Sequence, residues 1–287
     1  QDNQVKGACG HDCPDTCGWV VTVEQGRATA LVGDRDHPFT RGTLCAKVNH
    51  YLDRVYHPER VLHPLRRVGP KGSGQFERVS WDEALADIAA RWQAIIAEHG
   101  AEAILPYSSA GMQGLVQQAS LDMRLFGALG ASRLDRNICG AVASAGMKAT
   151  LGVGTGIDPE QVRHARLIVL WGTNTVVTNL HYWPQVKAAQ KAGAKLVVID
   201  PVRTRTAEEA DWHVQLLPGS DAALAMAVMH VMHRDGLVDE DYVRAHALGY
   251  DELAPKLAAH SPEAMAPSIG LPVAAIARLA RRPATPH

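Results

Sequence analysis

The chain has 287 residues, of which 46% are hydrophobic, so it can bury a substantial core, and its length favours two domains. Its 29 Lys and Arg residues balance 30 Asp and Glu residues, which excludes the cationic surface that nucleic acid or an anionic membrane would need and leaves small molecules or proteins as expected partners. No apolar run approaches the roughly 20 residues that span a bilayer, and five cysteines in this length do not make a disulfide-rich secreted scaffold. We therefore expect a cytoplasmic protein, although a sequence that opens on Gln1 rather than Met is also compatible with a removed leader peptide.

Residues 1–60 are predicted to form a small, irregular, β-rich module. The stretches WVVTV (19–23) and ATALVG (28–33) alternate like strands around the turn EQGR. The segment 51–74 is rich in Pro, Gly and Arg and is interpreted as a linker. Because folds below about 70 residues usually need disulfides, a metal or docking onto a neighbour, a metal site is the economical explanation for this module.

Four of the five cysteines lie in this module, in the pattern C-x3-C-x3-C-x27-C: Cys9, Cys13, Cys17 and Cys45. Three clustered thiolates and a distant fourth suit a 4Fe-4S cluster, in which each iron takes one cysteine. Structural zinc is one alternative, although zinc ligands usually arrive as two close pairs. Two disulfides are a second alternative.

Residues 61–287 alternate between helical and strand patterns, which predicts an α/β fold with a doubly wound, mostly parallel sheet. Ser80 and Glu83 form a capping box ahead of an amphipathic helix whose apolar stripe includes Leu85 and Ile88. Strands are predicted at 103–107, 167–171, 195–199 and 212–217. Helices are predicted near 112–129, 140–150 and 183–192, from Ser220, and within 261–282, where a Pro at a first helical position precedes an Ala-rich helix.

Three strand-to-helix junctions carry the residues expected of a nucleotide site. Gly172 and Asn174 follow the strand LIVLW, and a glycine there lets backbone N–H groups approach phosphate oxygens. Asp200 ends the strand KLVVI, where a doubly wound fold places an acidic side chain against a ribose hydroxyl; capping of the turn before Pro201 is its alternative role. Asp221 could accept from the N1–H and N2–H donors of a guanine, or it could complement the dipole of its helix. The fingerprint G-x-G-x-x-G is missing, which argues against an ordinary NAD site.

Cys139 lies at the predicted start of a small-residue helix, in DRNICGAVASAG. The positive end of the helix dipole favours a thiolate there, and a thiolate suits a soft metal. The alternative is a buried cysteine that acts as a small hydrophobic residue.

The string ACGHDCPDTCGWVVTVEQGRATALVGDRDHPFTRGTLCAKV resembles the N-terminal cluster-binding module of the molybdopterin oxidoreductases, the dimethyl sulfoxide reductase superfamily. Residues 167–224 are similar to the pterin-nucleotide domain of that family. The resemblance implies that Cys9, Cys13, Cys17 and Cys45 hold a 4Fe-4S cluster. It also implies a molybdopterin guanine dinucleotide bound by the following residues: Gly172, Thr173, Asn174, Asp200, Pro218, Gly219 and Asp221.

By the same resemblance, Cys139 is the protein ligand to molybdenum or tungsten, and Lys47 lies between the cluster and the pterin, with a plain surface lysine as its alternative. Formate dehydrogenases of the family usually have a histidine directly after the metal ligand, whereas this chain has Gly140. That departure counts against formate as the substrate.

The function implied is an oxidoreductase, or its N-terminal part, that passes electrons between a substrate-binding metal and the cluster. A non-redox hydratase on the same scaffold and a metal-free electron carrier are the alternatives. Because family members are usually more than twice as long, we expect a fragment, a split enzyme or a reduced form, with one tightly held pterin dinucleotide. Its expected partners are a small-molecule substrate, a redox partner protein and a second chain that completes the active site.

Overall fold

The computed structural model describes residues 3–11, 13–108, 120–135 and 138–282. The chain divides into two compact units, Gln1–Arg136 and Asn137–His287. The expected boundary near residue 60, between a cluster module and an α/β region, stays a prediction. Within the described ranges, no helix is long and apolar enough to cross a membrane.

The first unit begins with a three-stranded antiparallel sheet in the order β1-β2-β3. The strands are β1 (Gln4–Ala8), β2 (Gly18–Glu24) and β3 (Arg27–Gly33). Gln25 and Gly26 join β2 to β3 with positive φ angles of 49° and 75°, which is the backbone that a two-residue hairpin requires. The two predicted strands and their turn are therefore confirmed, whereas β1 was not predicted.

The remainder of this unit consists of short elements and one long helix. Two short helices, α1 (Ala46–Asn49) and α2 (Tyr51–Val55), precede a hairpin of β4 (Leu65–Arg67) and β5 (Phe76–Arg78). The long helix α3 (Trp81–His99) is followed by a 3-10 turn (Ala101–Ala103) and by α4 (Leu121–Leu129).

The capping box of α3 is confirmed. The Ser80 hydroxyl accepts a hydrogen bond from the Glu83 N–H at 3.2 Å, and the Glu83 carboxylate accepts one from the Ser80 N–H at 2.7 Å. Two bonds therefore satisfy backbone donors at the start of this helix. Part of the predicted apolar stripe is exposed, however, since Leu85 and Ile88 are 58% and 44% accessible.

The strand predicted at 103–107 is wrong. Ala103 closes the 3-10 turn, and residues 104–108 join no sheet in the described chain. Ile104 is buried and its carbonyl accepts a hydrogen bond from the Ser132 N–H at 3.0 Å, but Leu105 and Tyr107 are exposed. An apolar run can thus bury one side chain against a loop without gaining a ladder of strand hydrogen bonds. Of the helix predicted near 112–129, residues 112–119 lie outside the described residues and the remainder is largely α4.

The second unit is a parallel sheet in the order β6-β7-β8 with helices on both faces. Its strands are β6 (Leu167–Trp171), β7 (Lys195–Ile199) and β8 (Trp212–Val214). Its helices are α5 (Cys139–Leu151), α6 (Thr175–Thr178), α7 (Trp183–Lys191), α8 (Arg205–Glu208), α9 (Asp221–Arg234), α10 (Glu240–His246), α11 (Tyr250–Leu253), α12 (Pro262–Ile269) and α13 (Val273–Arg281), with 3-10 segments at Pro159–His164 and Ala254–Ala259.

Strand β7 shows why the sheet is covered on both sides. Leu196 and Val198 pack with Val186 of α7 in one cluster, whereas Val197 and Ile199 pack in another with residues of α9, α12 and α13. Side chains that alternate along a strand point to opposite faces, so both faces of β7 are buried. The predicted doubly wound, mostly parallel sheet is confirmed.

Two predicted elements differ in their bounds. Strand β8 ends at Val214 rather than at 217, because the Leu217 N–H donates to the Ile269 carbonyl at 2.8 Å and the chain turns towards α12. The segment predicted within 261–282 begins a helix at Pro262 as expected, but it forms two helices. Gly270, with a φ of 76°, ends α12 in the left-handed conformation, which favours glycine.

Candidate metal and nucleotide sites

The three clustered cysteines lie on the loop that joins β1 to β2. The Cys9 N–H donates to the Cys17 carbonyl at 2.8 Å, so the loop closes on itself where the two strands meet. Cys45 precedes helix α1, and its carbonyl accepts hydrogen bonds from the first turn of that helix. Backbone hydrogen bonds of the β1–β2 pair therefore fix the main chain at Cys9 and Cys17, and those of helix α1 fix it at Cys45.

A small apolar core brings these two segments together. Cys17 is only 4% exposed and forms a cluster with Leu44 and Val48, and both Cys9 and Cys45 pack against that cluster. Tyr51 also borders it, with its ring 5.6 Å from that of Trp19 and 5.7 Å from that of His11. These aromatic contacts attach helix α2 to the cysteine loop.

The thiols interact electrostatically with one another. Burial raises the pKa of the Cys17 thiol to about 12, and smaller contributions in the same direction come from Asp15 and the other three thiols. Burial also raises the pKa of Cys13, partly opposed by a hydrogen bond from the backbone of Asp15. All four cysteines are free thiols rather than disulfides. The part of the chain that is described contains no group of three or more His, Cys, Asp or Glu side chains arranged to hold a single metal ion.

The four-thiol set fits a multi-iron group in its chemistry. Cubane clusters take their protein ligands from cysteine thiolates, one to each iron. Three of the four thiols, Cys9, Cys17 and Cys45, lie in or against one apolar core, and Cys13 interacts electrostatically with Cys45. The cysteine ligands of such a cluster would be partly shielded from water, because Cys17 is buried and the other three cysteines are half-buried. Lys47, in α1, is exposed, as a plain surface lysine would be. Its place between the cluster and a pterin stays a prediction.

The predicted nucleotide residues lie along one edge of the parallel sheet. β6, β7 and β8 run in the same direction, so Gly172, Asp200 and the loop that leads to Asp221 all follow carboxyl ends of strands. Ligands of open α/β sheets bind at this edge. The structure therefore brings the strand-end residues together as the sequence predicts.

The first strand-end loop begins with Gly172, whose φ is 64° and whose N–H donates to the Ile199 carbonyl at 2.8 Å. A Cβ built at Gly172 would meet no atom within 4 Å, so the space beside this backbone is open to a ligand. Gly219, with a φ of 80°, has equally open space. The backbone at both glycines fits the close approach that a nucleotide phosphate needs.

The Asn174 side chain is held by a threonine that the sequence patterns did not single out. Thr206, which is fully buried, donates its hydroxyl hydrogen bond to Asn174 Oδ1 at 2.8 Å. The same hydroxyl accepts from the Val176 N–H at 3.0 Å. Thr173 lies next to Asn174, with its hydroxyl 3.5 Å from that of Thr175. One buried hydroxyl thus fixes both the asparagine and the start of helix α6.

Asp200 occupies the turn that its alternative role predicts. Its Oδ1 accepts a hydrogen bond from the Val202 N–H at 2.8 Å, and its carbonyl accepts one from His213 Nε2 at 2.9 Å. Asp200 is largely buried. The turn-capping contact is confirmed, whereas a ribose contact stays a prediction.

Asp221 is the first residue of helix α9, and its carboxylate has a partner at the sheet edge. The indole N–H of Trp171, at the end of β6, donates to Asp221 Oδ1 at 2.7 Å. The preceding Pro218–Gly219 segment is tied down by the Ser220 hydroxyl, which donates to the Leu217 carbonyl at 2.6 Å. No pattern in the sequence marked Trp171, because it is fifty positions away from its partner.

Helix α5 begins at Cys139, as predicted, and the position of its side chain lies outside what the structure describes. The glycine-rich stretch 152–156 follows this helix rather than a strand, so it lacks the context of a phosphate-binding loop.

Comparisons with known proteins match both parts of the chain. The family model "Molybdopterin oxidoreductase Fe4S4 domain" matches residues 2–57, and the model "Molybdopterin oxidoreductase" matches residues 60–278. Probable oxidoreductase YoaE of Bacillus subtilis is 40% identical over 281 residues, which make up 98% of this chain and 41% of that protein. Dimethyl sulfoxide reductase DmsA of Escherichia coli is 32% identical over 269 residues, 85% of this chain and 32% of that protein.

Among solved structures, acetylene hydratase from Pelobacter acetylenicus matches with a TM-score of 0.72 and 26% identity. The match covers 95% of this chain and 38% of that chain. The chain thus spans about two fifths of the length of the YoaE protein and of the hydratase.

Proposed function

Because the chain belongs to the molybdopterin oxidoreductase family, we propose that it is the cofactor-binding portion of a molybdenum-dependent oxidoreductase that passes electrons between a substrate-binding metal and a 4Fe-4S cluster. The family defines its cofactors as a 4Fe-4S cluster and molybdopterin with molybdenum. One observation carries the proposal: a four-thiol module and an open strand-end nucleotide site occur in the same chain. When bound, the two groups would supply metal-centred substrate chemistry and one-electron transfer.

The cluster is assigned to Cys9, Cys13, Cys17 and Cys45. Cys17 is buried against Leu44 and Val48, so at least one ligand would be shielded from solvent. Shielding and hydrogen bonds around the sulfurs tune the potential of such clusters. Lys47, two residues beyond Cys45, is assigned to the path between cluster and pterin.

We assign the pterin cofactor as molybdopterin guanine dinucleotide. Gly172 would let the phosphates approach the backbone N–H groups of Thr173 and Asn174, since its own N–H already donates to the Ile199 carbonyl. Asp200 would contact the ribose. Asp221 would accept from the N1–H and N2–H groups of guanine. Pro218 and Gly219 would shape the loop beside the base, where Gly219 leaves open space.

Cys139 is assigned as the protein ligand to molybdenum. Its position at the start of a helix of 13 residues favours a thiolate, which binds soft metals. A tungsten form would use the same ligand.

A hydratase is the second candidate function, and the match to acetylene hydratase supports it. In that case, the bound metal would assist the addition of water to a substrate, with no net transfer of electrons to a partner protein. For the oxidoreductase, the proposed partners are a small-molecule substrate, a redox protein and a further chain that completes the metal pocket. The proposed location is the cytoplasm, because five cysteines in 287 residues do not make a disulfide-rich secreted scaffold.

Metal analysis of the anaerobically purified chain tests the cofactor assignment. We expect about four irons and four sulfides per chain, together with molybdenum and one extractable guanine nucleotide. Cys139→Ala should keep the iron and lose the molybdenum, whereas Cys13→Ala should lose the iron and keep the nucleotide. Stoichiometric zinc without sulfide would contradict the cluster.

Substrate-dependent reduction of a dye separates the two functions, because only an oxidoreductase changes the redox state of the dye. The matched Cys139→Ala protein is the control for both assays, since it removes the proposed metal ligand and leaves the cluster cysteines intact. Product formation without dye reduction or oxidation would support the hydratase.

A further inference from the structure

The contact between Trp171 and Asp221 joins two rigid parts of the second unit. Trp171 is the last residue of β6 and pairs with Ile199 of the central strand. Asp221 begins helix α9, whose preceding loop is held by the hydrogen bond from the Leu217 N–H to the Ile269 carbonyl. Since both backbones are fixed by the core, the indole and the carboxylate meet at a defined place on the sheet edge.

We propose that Trp171 is a positioning residue that orients the Asp221 carboxylate towards the base of a bound nucleotide and so sets selectivity for guanine over hypoxanthine. The inference rests on the proposed guanine contact of Asp221. Trp171 does not need to touch the base in order to act, because it works through the carboxylate.

The hydrogen-bonding capacities of the groups support this role. An indole N–H is a donor only, and an ionised carboxylate has about four acceptor positions. The 2.7 Å bond to Oδ1 therefore leaves the carboxylate about three acceptor positions, which is enough for two further donors. Guanine offers two parallel N–H groups on one edge, N1–H and N2–H, and a carboxylate accepts such a pair in a bidentate manner. Hypoxanthine lacks the 2-amino donor.

Orientation matters because an aspartate at the surface can rotate. Asp221 is exposed and Trp171 is 36% accessible, so a ligand can reach the pair. Ordering a mobile side chain on binding costs free energy, and a side chain that is already ordered avoids that cost. A carboxylate held by the indole would present both oxygens in one fixed orientation, which favours a base with two donors over a base with one.

Binding of GDP and of inosine diphosphate to the full chain, measured by calorimetry, tests the inference. The wild-type chain should bind GDP more tightly than inosine diphosphate. Trp171→Phe keeps an aromatic ring but removes the N–H. It should weaken GDP binding by about 3- to 10-fold and lower the ratio of the affinity for GDP to the affinity for inosine diphosphate. A purely structural role of Trp171 would not change that ratio.

Trp212→Phe is the matched control, because Trp212 lies at the start of β8, with Arg278 4.5 Å from its ring centroid. Phenylalanine retains a ring for that contact, and both affinities should stay within about twofold of the wild-type values. Asp221→Asn tests the proposed function itself and should remove the preference for GDP.

The outcomes separate the two ideas. If Asp221→Asn loses the preference but Trp171→Phe keeps it, the guanine role stands and the positioning role is overturned. Tighter GDP binding by Trp171→Phe would also overturn it, since the indole would then compete with the ligand. An unchanged preference in Asp221→Asn, or no GDP binding by the wild-type chain at millimolar concentration, would overturn the guanine assignment and this inference with it.

Discussion

Replacing Thr206 with valine should weaken both the fold of the second unit and its nucleotide site. The Thr206 hydroxyl donates to Asn174 Oδ1 at 2.8 Å and accepts from the Val176 N–H at 3.0 Å, and the residue is fully buried. Valine has nearly the same shape but can do neither. A buried polar group that loses its partner costs about 1 to 3 kcal/mol. Because Asn174 and Val176 are half-buried, we expect the free energy of unfolding to fall by about 2 to 4 kcal/mol.

Urea unfolding followed by circular dichroism measures this loss, and calorimetry with GDP measures the effect on binding. Thr178→Val is the matched control: its hydroxyl bonds to the Asn174 carbonyl at 3.1 Å, but the residue is exposed. That change should cost no more than about 0.5 kcal/mol. Thr206→Ser keeps the hydroxyl and loses a methyl group, so it should retain GDP affinity and lose about 1 kcal/mol of stability.

Equal loss of stability in Thr206→Val and Thr178→Val would refute the reasoning, since burial of the hydroxyl would then be irrelevant. An unchanged free energy of unfolding in Thr206→Val would refute the reasoning as well. Loss of stability without loss of GDP affinity would show that the threonine supports helix α6 alone.

Three further changes test other parts of the chain. Ser80→Ala removes the capping box with Glu83 and should lower stability by about 1 kcal/mol; an unchanged urea midpoint would speak against it. The pKa of Asp211 is lowered, chiefly because the Leu196 N–H donates to its carboxylate at 2.8 Å. The contribution of Asp211 to the free energy of unfolding is therefore fully present above the unfolded pKa of about 3.9. It is lost as the pH falls through the lower folded pKa. The stability difference between the wild type and Asp211→Asn should therefore shrink as the pH falls below about 4, and a difference that is constant from pH 6 to 3 would be inconsistent. Cys13→Ala should release iron and make residues 3–57 sensitive to protease; full protection in the iron-free variant would argue against metal-dependent folding.

The strands of the second unit could be predicted because of how they are buried. β6 and β7 occupy the predicted ranges 167–171 and 195–199. β7 is buried on both faces and so appears in the sequence as a continuous apolar run, whereas β6 buries Ile168 and Leu170 on one face and leaves Val169 and Trp171 partly exposed on the other. Once the strands are parallel, their carboxyl ends share an edge. The approximate place of the nucleotide site therefore follows from strand ends alone.

Other features depend on contacts that sequence patterns do not contain. β1 is exposed along its whole length, so it lacks the alternating burial that marks a strand. The run at 103–107 has strand-like composition but no neighbouring strand to pair with in the described chain. The bond between Thr206 and Asn174 joins residues 32 positions apart, and only the folded sheet brings them together.

The family and its cofactors, inferred from the cysteine spacing and the resemblance, are confirmed by the family models. The individual ligands and contacts stay predictions. Chain spacing can indicate which residue types meet a cofactor, but the orientation of each side chain depends on its neighbours. Asp200 illustrates this dependence, since its carboxylate caps a local turn, which is the alternative role that the sequence indicated, and its contact with a ribose stays a prediction.

Three side chains assigned to the nucleotide, Asn174, Asp200 and Asp221, are each held through one side-chain oxygen. Asn174 is held through its amide oxygen by Thr206, Asp200 through Oδ1 by the Val202 N–H, and Asp221 through Oδ1 by Trp171. The capacity of these groups is larger, because an amide nitrogen carries two donors and a carboxylate about four acceptor positions. A ligand that binds here would meet side chains whose rotamers are already fixed, so less conformational entropy is lost on binding. The affinity of this edge should therefore depend on residues that never contact the ligand.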